Sequence, residues 1–141
     1  MGGHSTNKYP VVPAKDLGLD EYFKSNPNVA GMAWGGGLNG SNPNEPRVVA
    51  VNEYSPNLKT PEAKQSLIQN ERIRHKMDED KWKASFSITP EQSEWAKSLG
   101  SYANNPEMLK QTIAARLAVG DYVPSPTKEQ VKSAMQFNEV K

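Results

Sequence analysis

Cysteine is absent from all 141 residues, which rules out disulfides and thiolate metal sites without fixing a redox compartment. Histidine is nearly as scarce, His4 and His75 being the whole supply. No apolar run approaches the ~18 residues a membrane-spanning helix needs, and the first residues lack the apolar stretch of a signal peptide. A surplus of charge is missing too: 17 basic side chains meet 16 acidic ones, for a formal charge of +1. That balance provides no basic field, so nucleic acid is not favoured as the main partner. Apolar residues other than glycine make up only 35% of the chain and mean hydropathy is -0.77, where an ordinary globular domain has ~45–50% with glycine included. Asn, Ser, Pro and Gly fill the gap, and these are turn formers. The expectation is a small packed core carrying extended segments.

What is present is most legible in the second half, as four helix starts of nearly one design. They read Thr60-Pro61-Glu62, Thr89-Pro90-Glu91-Gln92, Asn105-Pro106-Glu107 and Thr127-Lys128-Glu129-Gln130. In each, a short oxygen-bearing side chain can accept from an orphan first-turn N–H. Proline takes the first helical position in three of them, where its missing donor is harmless. The pattern predicts helices over 61–78, 90–98, 106–119 and 128–137. The first is amphipathic through Ala63, Leu67, Ile73 and Met77, and the third ends where Gly120 can serve as a C-cap. Gly100 is the expected stop for the second. No repeat of solenoid length is present.

The front half is different. Residues 1–13 carry Pro10 and Pro13 around Tyr9, Val11 and Val12, which predicts an extended arm with apolar hooks. Residues 14–24 suit one weak helix with Gly18 inside it. From 26 to 46 the chain is rich in Gly, Asn and Pro, interrupted by Val29, Met32, Trp34 and Leu38, which need a pocket in this chain or a neighbour. Residues 47–52 are the best strand candidate. Residues 84–88 are its only plausible internal partner, and failing those the partner lies in another subunit. The fold class expected is mainly α: a body of about four helices over 47–141 with one short β element, preceded by an irregular N-terminal arm over 1–46.

Candidate chemistry is thin. Gly35-Gly36-Gly37-Leu38-Asn39-Gly40 spells G-x-G-x-x-G, but no strand precedes it, and Pro43 and Pro46 forbid a helix after it. Close backbone approach or left-handed turns explain it better than a dinucleotide. Glu71 and His75 share a helix face, yet a zinc site would need His4 as well, so an i,i+4 contact is the better reading and no metal or cofactor is expected. Arg72, Arg74, His75, Lys76, Lys81 and Lys83 with Trp82 form a basic cluster able to grip phosphate and stack a base, although Asp78, Glu79 and Asp80 divide it. No nucleophile setting appears, so no catalytic residue is named and no enzyme is expected. Met1-Gly2-Gly3-His4-Ser5-Thr6, with Lys8 behind it, fits the short N-myristoylation pattern; an ordinary flexible start is preferred.

The order of segments adds something that no single one carries. Asn26-Pro27-Asn28-Val29-Ala30-Gly31-Met32-Ala33-Trp34-Gly35-Gly36-Gly37 precedes Arg47-Val48-Val49-Ala50-Val51-Asn52-Glu53-Tyr54-Ser55. Then follow Asn70-Glu71-Arg72-Ile73-Arg74, Phe86-Ser87-Ile88-Thr89-Pro90-Glu91-Gln92 and Thr112-Ile113-Ala114-Ala115-Arg116. Across residues 26–136 this series resembles a small protein of tailed, especially short-tailed, bacteriophages. The resemblance implies a virion component that meets other virion proteins in many copies, at a head, neck or tail position, and it transfers no catalytic residue. Tyr9, Val11, Val12, Met32, Trp34 and Leu38 are the expected contacts with neighbouring subunits. The alternative is a small regulatory module that binds RNA or protein through 72–83. A metal-dependent hydrolase using Glu71 and His75 is a third class, which bound metal would have to support.

Overall fold

The computed structural model of the chain describes residues 9–99 and 105–138. The myristoylation-like start, His4 and Gly100 lie outside the described residues. The described part is mainly α-helical with one two-stranded antiparallel sheet. It divides into two compact units, one ending at His75 and the other beginning at Lys76. The division thus falls after residue 75, not after 46, because segments on both sides of residue 46 pair in the same sheet.

In the first unit, Gly18 sits at φ 72° and ends a 3-10 turn over Ala14–Leu17, so the helix expected over 14–24 is two short pieces. The second piece, α1 (Asp20–Ser25), turns Phe23 inward. Phe23 and Leu19 meet Ala50, and Val29, Met32 and Trp34 pack against them. Strand β1 (Gly31–Trp34) runs antiparallel to β2 (Val48–Val51), with Met32 opposite Ala50 and Trp34 opposite Val48. On the far side of β2, the Val49 N–H donates to the Pro10 carbonyl at 2.8 Å and its carbonyl accepts from the Val12 N–H at 2.9 Å. All four β2 side chains are buried.

Two expectations change here. The strand's partner is neither 84–88, which holds no strand, nor another subunit. It is a piece of the glycine-rich stretch. Gly31 is what admits it: a Cβ there would lie 2.6 Å from the Ala50 carbonyl oxygen and 2.7 Å from Leu67 Cδ2. The described front is also more than an arm. Its apolar residues come in runs too short to show a period, yet together they close over Phe23.

The G-x-G-x-x-G stretch forms a tight loop; contrary to expectation a strand, β1, does precede it, but no helix follows it before β2, so the loop reading stands on the second ground alone. Gly35 has φ 94°, and a side chain there would collide with the Pro46 carbonyl. The Gly35 N–H donates to Ser41 Oγ at 2.9 Å, and the Gly36 N–H to the Glu45 carbonyl at 3.0 Å. Beyond β2, Thr60 accepts the Ala63 N–H at 3.1 Å and opens α2 (Pro61–Glu79).

The second unit follows its caps closely. Thr89 and Thr127 form capping boxes at α3 (Pro90–Ala96) and α5 (Lys128–Met135), and Asn105 caps α4 (Pro106–Val119). Gly120 ends α4 at φ 83°, as its position suggested. Helices α4 and α5 pack together, and Leu109, Ile113, Ala114, Ala115 and Ala118 bury the apolar side of α4. The Trp82 ring meets Phe137 edge-on at 5.1 Å.

Two buried glutamines hold this unit together. Gln92 and Gln130, the third residues of the two capping boxes, exchange reciprocal amide bonds of 2.7 and 2.8 Å. Each oxygen also accepts its own cap's N–H, from Thr89 and Thr127. Each nitrogen donates once more, Gln92 to the Pro124 carbonyl and Gln130 to that of Ser87. Both amides therefore use their full complement of two donors and two acceptor positions.

Candidate functional site

Helix α2 turns a row of polar side chains inward, within the first unit. His75 is fully buried and takes one tautomer. Its Nδ1 lies 3.1 Å from Arg47 Nη1, which can only donate, so Nδ1 is the acceptor. Its Nε2 lies 2.8 Å from the Val48 carbonyl, so Nε2 carries the proton. The ring is neutral, and Tyr9 stacks on it with centroids 5.0 Å apart. Arg72 Nε donates to the Tyr9 carbonyl at 2.9 Å. One turn earlier, the Glu71 carboxylate accepts the Ala33 N–H at 3.1 Å on the outer edge of β1. Burial raises its pKa to about 7, with Arg74 and the Ala33 N–H pulling the other way.

These contacts redistribute the expected sites. Tyr9 is only 3% exposed and belongs to its own chain's core, not to an open arm. Met32 and Trp34 are half-buried against the Phe23 cluster, and Trp34 Nε1 donates to Glu45 at 3.0 Å. Leu38 is half-buried in the glycine loop. The basic cluster is divided between the two units, with Arg72, Arg74 and His75 in the first and Lys76, Lys81, Trp82 and Lys83 in the second. Arg72 and His75 are engaged as described, Trp82 is used in packing, and Lys76 pairs with Asp80 at 3.3 Å. Lys81 and Lys83 are exposed, and Arg74 stands near Glu71. Among the described residues, no three His, Cys, Asp or Glu side chains are grouped to hold a metal, and no helix is long and apolar enough to cross a membrane.

Val11 and Val12 keep a surface role, as the wall of a groove of about 350 Å³. Pro13 and Ala14 continue that wall, and Val51 and Phe23 close the inner side. Lys15, Asp20, Glu53 and Tyr54 complete the lining. Val11 and Tyr54 remain 43% and 45% exposed, high values for apolar bodies facing one recess. The Tyr54 hydroxyl donates to Asp20 at 3.1 Å, and that bond, more than desolvation or charge, raises its pKa. Asn52 fixes the groove's inner geometry. Its Nδ2, which has two hydrogens, lies 2.7 Å from the Val29 carbonyl and 3.2 Å from those of Phe23 and Asn26, so two of the three share one N–H, and its Oδ1 accepts the Tyr54 N–H at 2.9 Å.

The second unit has its own surface feature, which the sequence did not signal. The Arg116 guanidinium lies 5.4 Å from the Trp95 ring centroid, and Arg116 Nε donates to the Tyr122 carbonyl at 2.9 Å. Tyr122 meets Trp95 edge-on and is 64% exposed. Trp, Tyr and Arg together are the composition of protein-contact hot spots.

Comparison with protein-family models, with curated proteins and with solved structures gives no match.

Proposed function

We propose that this protein is a structural component of a bacteriophage particle, associated with head, neck or tail, that binds neighbouring virion proteins in many copies. The observation that carries a contact role is the groove between the Val11 wall and Tyr54. Two apolar bodies stay nearly half exposed there, beside a core that had room to receive Tyr9 and Phe23. A soluble monomer gains nothing from leaving them open, whereas a subunit in an array gains from each repeat of a weak contact. The order of the segments from Asn26 to Arg116 supports the phage setting, and the groove supports the mode of attachment.

In this reading the finer picture of an N-terminal arm is kept for residues 9–13, laid along Val49 with Val11 outward. Val11 and Val12 are the working contacts, while Tyr9, Met32 and Trp34 serve the fold that presents them. RNA binding through 72–83 has less support, because Trp82 and His75 are occupied in packing. No catalytic role is assigned.

The test is competitive incorporation. Wild-type chain and a Val11→Asp, Tyr54→Ala variant, supplied together in a host producing particles, should partition differently. The variant is expected to be depleted at least fivefold from purified particles while staying folded and soluble. Equal incorporation would remove the groove from the contact.

A further inference from the structure

His75 is a titratable side chain with no exposed surface, and both of its ring nitrogens are committed. The Nε2–H bond to the Val48 carbonyl suits either charge state. Nδ1 is different, because at 3.1 Å it faces Arg47 Nη1, a donor that keeps its charge. A proton on Nδ1 would set donor against donor and cation against cation. Gly36 crowds the same guanidinium, since a Cβ there would lie 2.5 Å from Arg47 Cζ. Tyr9 covers the ring face, and Arg72 holds the Tyr9 carbonyl. The Glu71 carboxylate, with Arg74 near it, is turned to the Ala33 N–H. Asp78 and Glu79 follow one turn along α2; they favour a charged ring and so set how far pH must fall, without changing what a proton meets at Nδ1.

We propose that protonation of His75 releases residues 9–13 from the edge of β2, an acid-triggered latch built into the first unit. The segment yields because one of its holds is the ring itself, beside the Arg72 bond and two backbone bonds to Val49. Arg47, by contrast, is continuous with β2, whose other edge is paired along its length with β1. The sign is fixed by the neutral ring. Its contribution is complete above the ~6.5 at which a free histidine titrates, and is lost as pH falls below that. Glu71 acts in the opposite sense, favouring the folded unit as pH falls. The Val11 and Val12 wall of the groove goes with the segment, so that surface is assembled at neutral pH and dispersed in acid. The inference uses the geometry of the first unit alone and stands whatever that wall contacts.

Amide hydrogen exchange of the full chain tests it, compared at pH 7 and about pH 4.5 after correction for intrinsic rates. Protection of the Val12 and Val49 N–H groups should fall at least about tenfold in acid. The Asn52 N–H, which donates to Ala30 beside the β1–β2 pair, should keep its protection. Arg47→Gln should abolish the fall, because an amide donates to neutral Nδ1 and, turned over, accepts from Nδ1–H. In the wild type, NMR of the imidazole nitrogens should show the ring charging over the same pH range in which Val12 loses protection. A ring that charges while Val12 and Val49 stay protected would overturn the proposal. Equal loss at Asn52, or the same fall in Arg47→Gln, would overturn it too. Should Arg47→Gln fail to fold, the wild-type coincidence of ring charging and Val12 exchange decides alone.

Discussion

The two units solve the problem of buried polar groups in opposite ways. The second uses neutral amides: Gln92 and Gln130 satisfy each other and their own helix caps, and no charge enters that network. The first uses Asn52, a neutral histidine held by an arginine, and a carboxylate whose pKa lies about where the solution is neutral. Regular helices can close their polar ends locally, so their interior needs only one reciprocal pair. A fold built from a four-residue strand, a glycine loop and short turns leaves many carbonyls to be met from a distance, and side chains must reach them. The expected consequence is that the first unit's stability depends on pH through Glu71, whereas the second unit's amide pair carries no such dependence.

The sharpest way to break this contrast is Asn52→Ala. It takes the Asn52 amide from the Val29 carbonyl and the Tyr54 N–H and weakens the satisfaction of the Phe23 and Asn26 carbonyls, which keep the N–H of Asn26 and of Val29; each unmade buried bond costs ~1–3 kcal/mol. With partial rescue by water, the first unit should lose about 3–5 kcal/mol. Amide hydrogen exchange should then rise across β1 and β2 while α4 keeps its protection.

Glu71 comes next. Its pKa is raised from 4.5 to about 7 on folding, so between those values the folded state binds the extra proton. Stability from this group is therefore fully present below pH 4.5 and is lost as pH rises through 7, by about 3 kcal/mol at ~1.36 kcal/mol per unit. Glu71→Gln can still accept the Ala33 N–H. Denaturant midpoints measured at pH 5 and pH 8 should differ less in the variant than in the wild type. An unchanged difference would show that the carboxylate is solvated.

For the second unit, Gln92→Leu and Gln130→Leu should each cost about 2 kcal/mol by leaving the partner amide half-satisfied, with little dependence on pH. The double variant should cost at least 1 kcal/mol less than the sum, since their shared bonds are lost only once. Strict additivity would mean the two amides act independently. Smallest is Thr127→Ala, which removes a cap bond of 3.1 Å and should lower stability by about 1 kcal/mol.

The same contrast decides how much was legible in the sequence. Thr89-Pro90-Glu91-Gln92 and Gly120 announce the second unit's helices because a cap is a matter of three or four consecutive residues. The pairing of Gln92 with Gln130 spans 38 residues and leaves no local trace. Glycine-31 chemistry hid β1: the residue that lets the strand approach Ala50 is the one that made the segment read as loop. On α2, Glu71 and His75 were read as an i,i+4 contact and Arg72 as part of a basic cluster, since composition does not tell which polar side chains turn inward. The extended course of the chain at Val11 was legible because Pro10 and Pro13 flank it. Tyr9, in the same segment, was misjudged because its receiver, His75, lies far along the chain.

The most direct test of the central claim is quantitative mass spectrometry of purified, nuclease-treated particles carrying a photo-crosslinker at Val11. The chain should appear at a fixed copy number per particle, with crosslinks joining residue 11 to neighbouring virion proteins. A chain found only in the unassembled lysate, with residue 11 crosslinked to nothing or only within its own molecule, would contradict it.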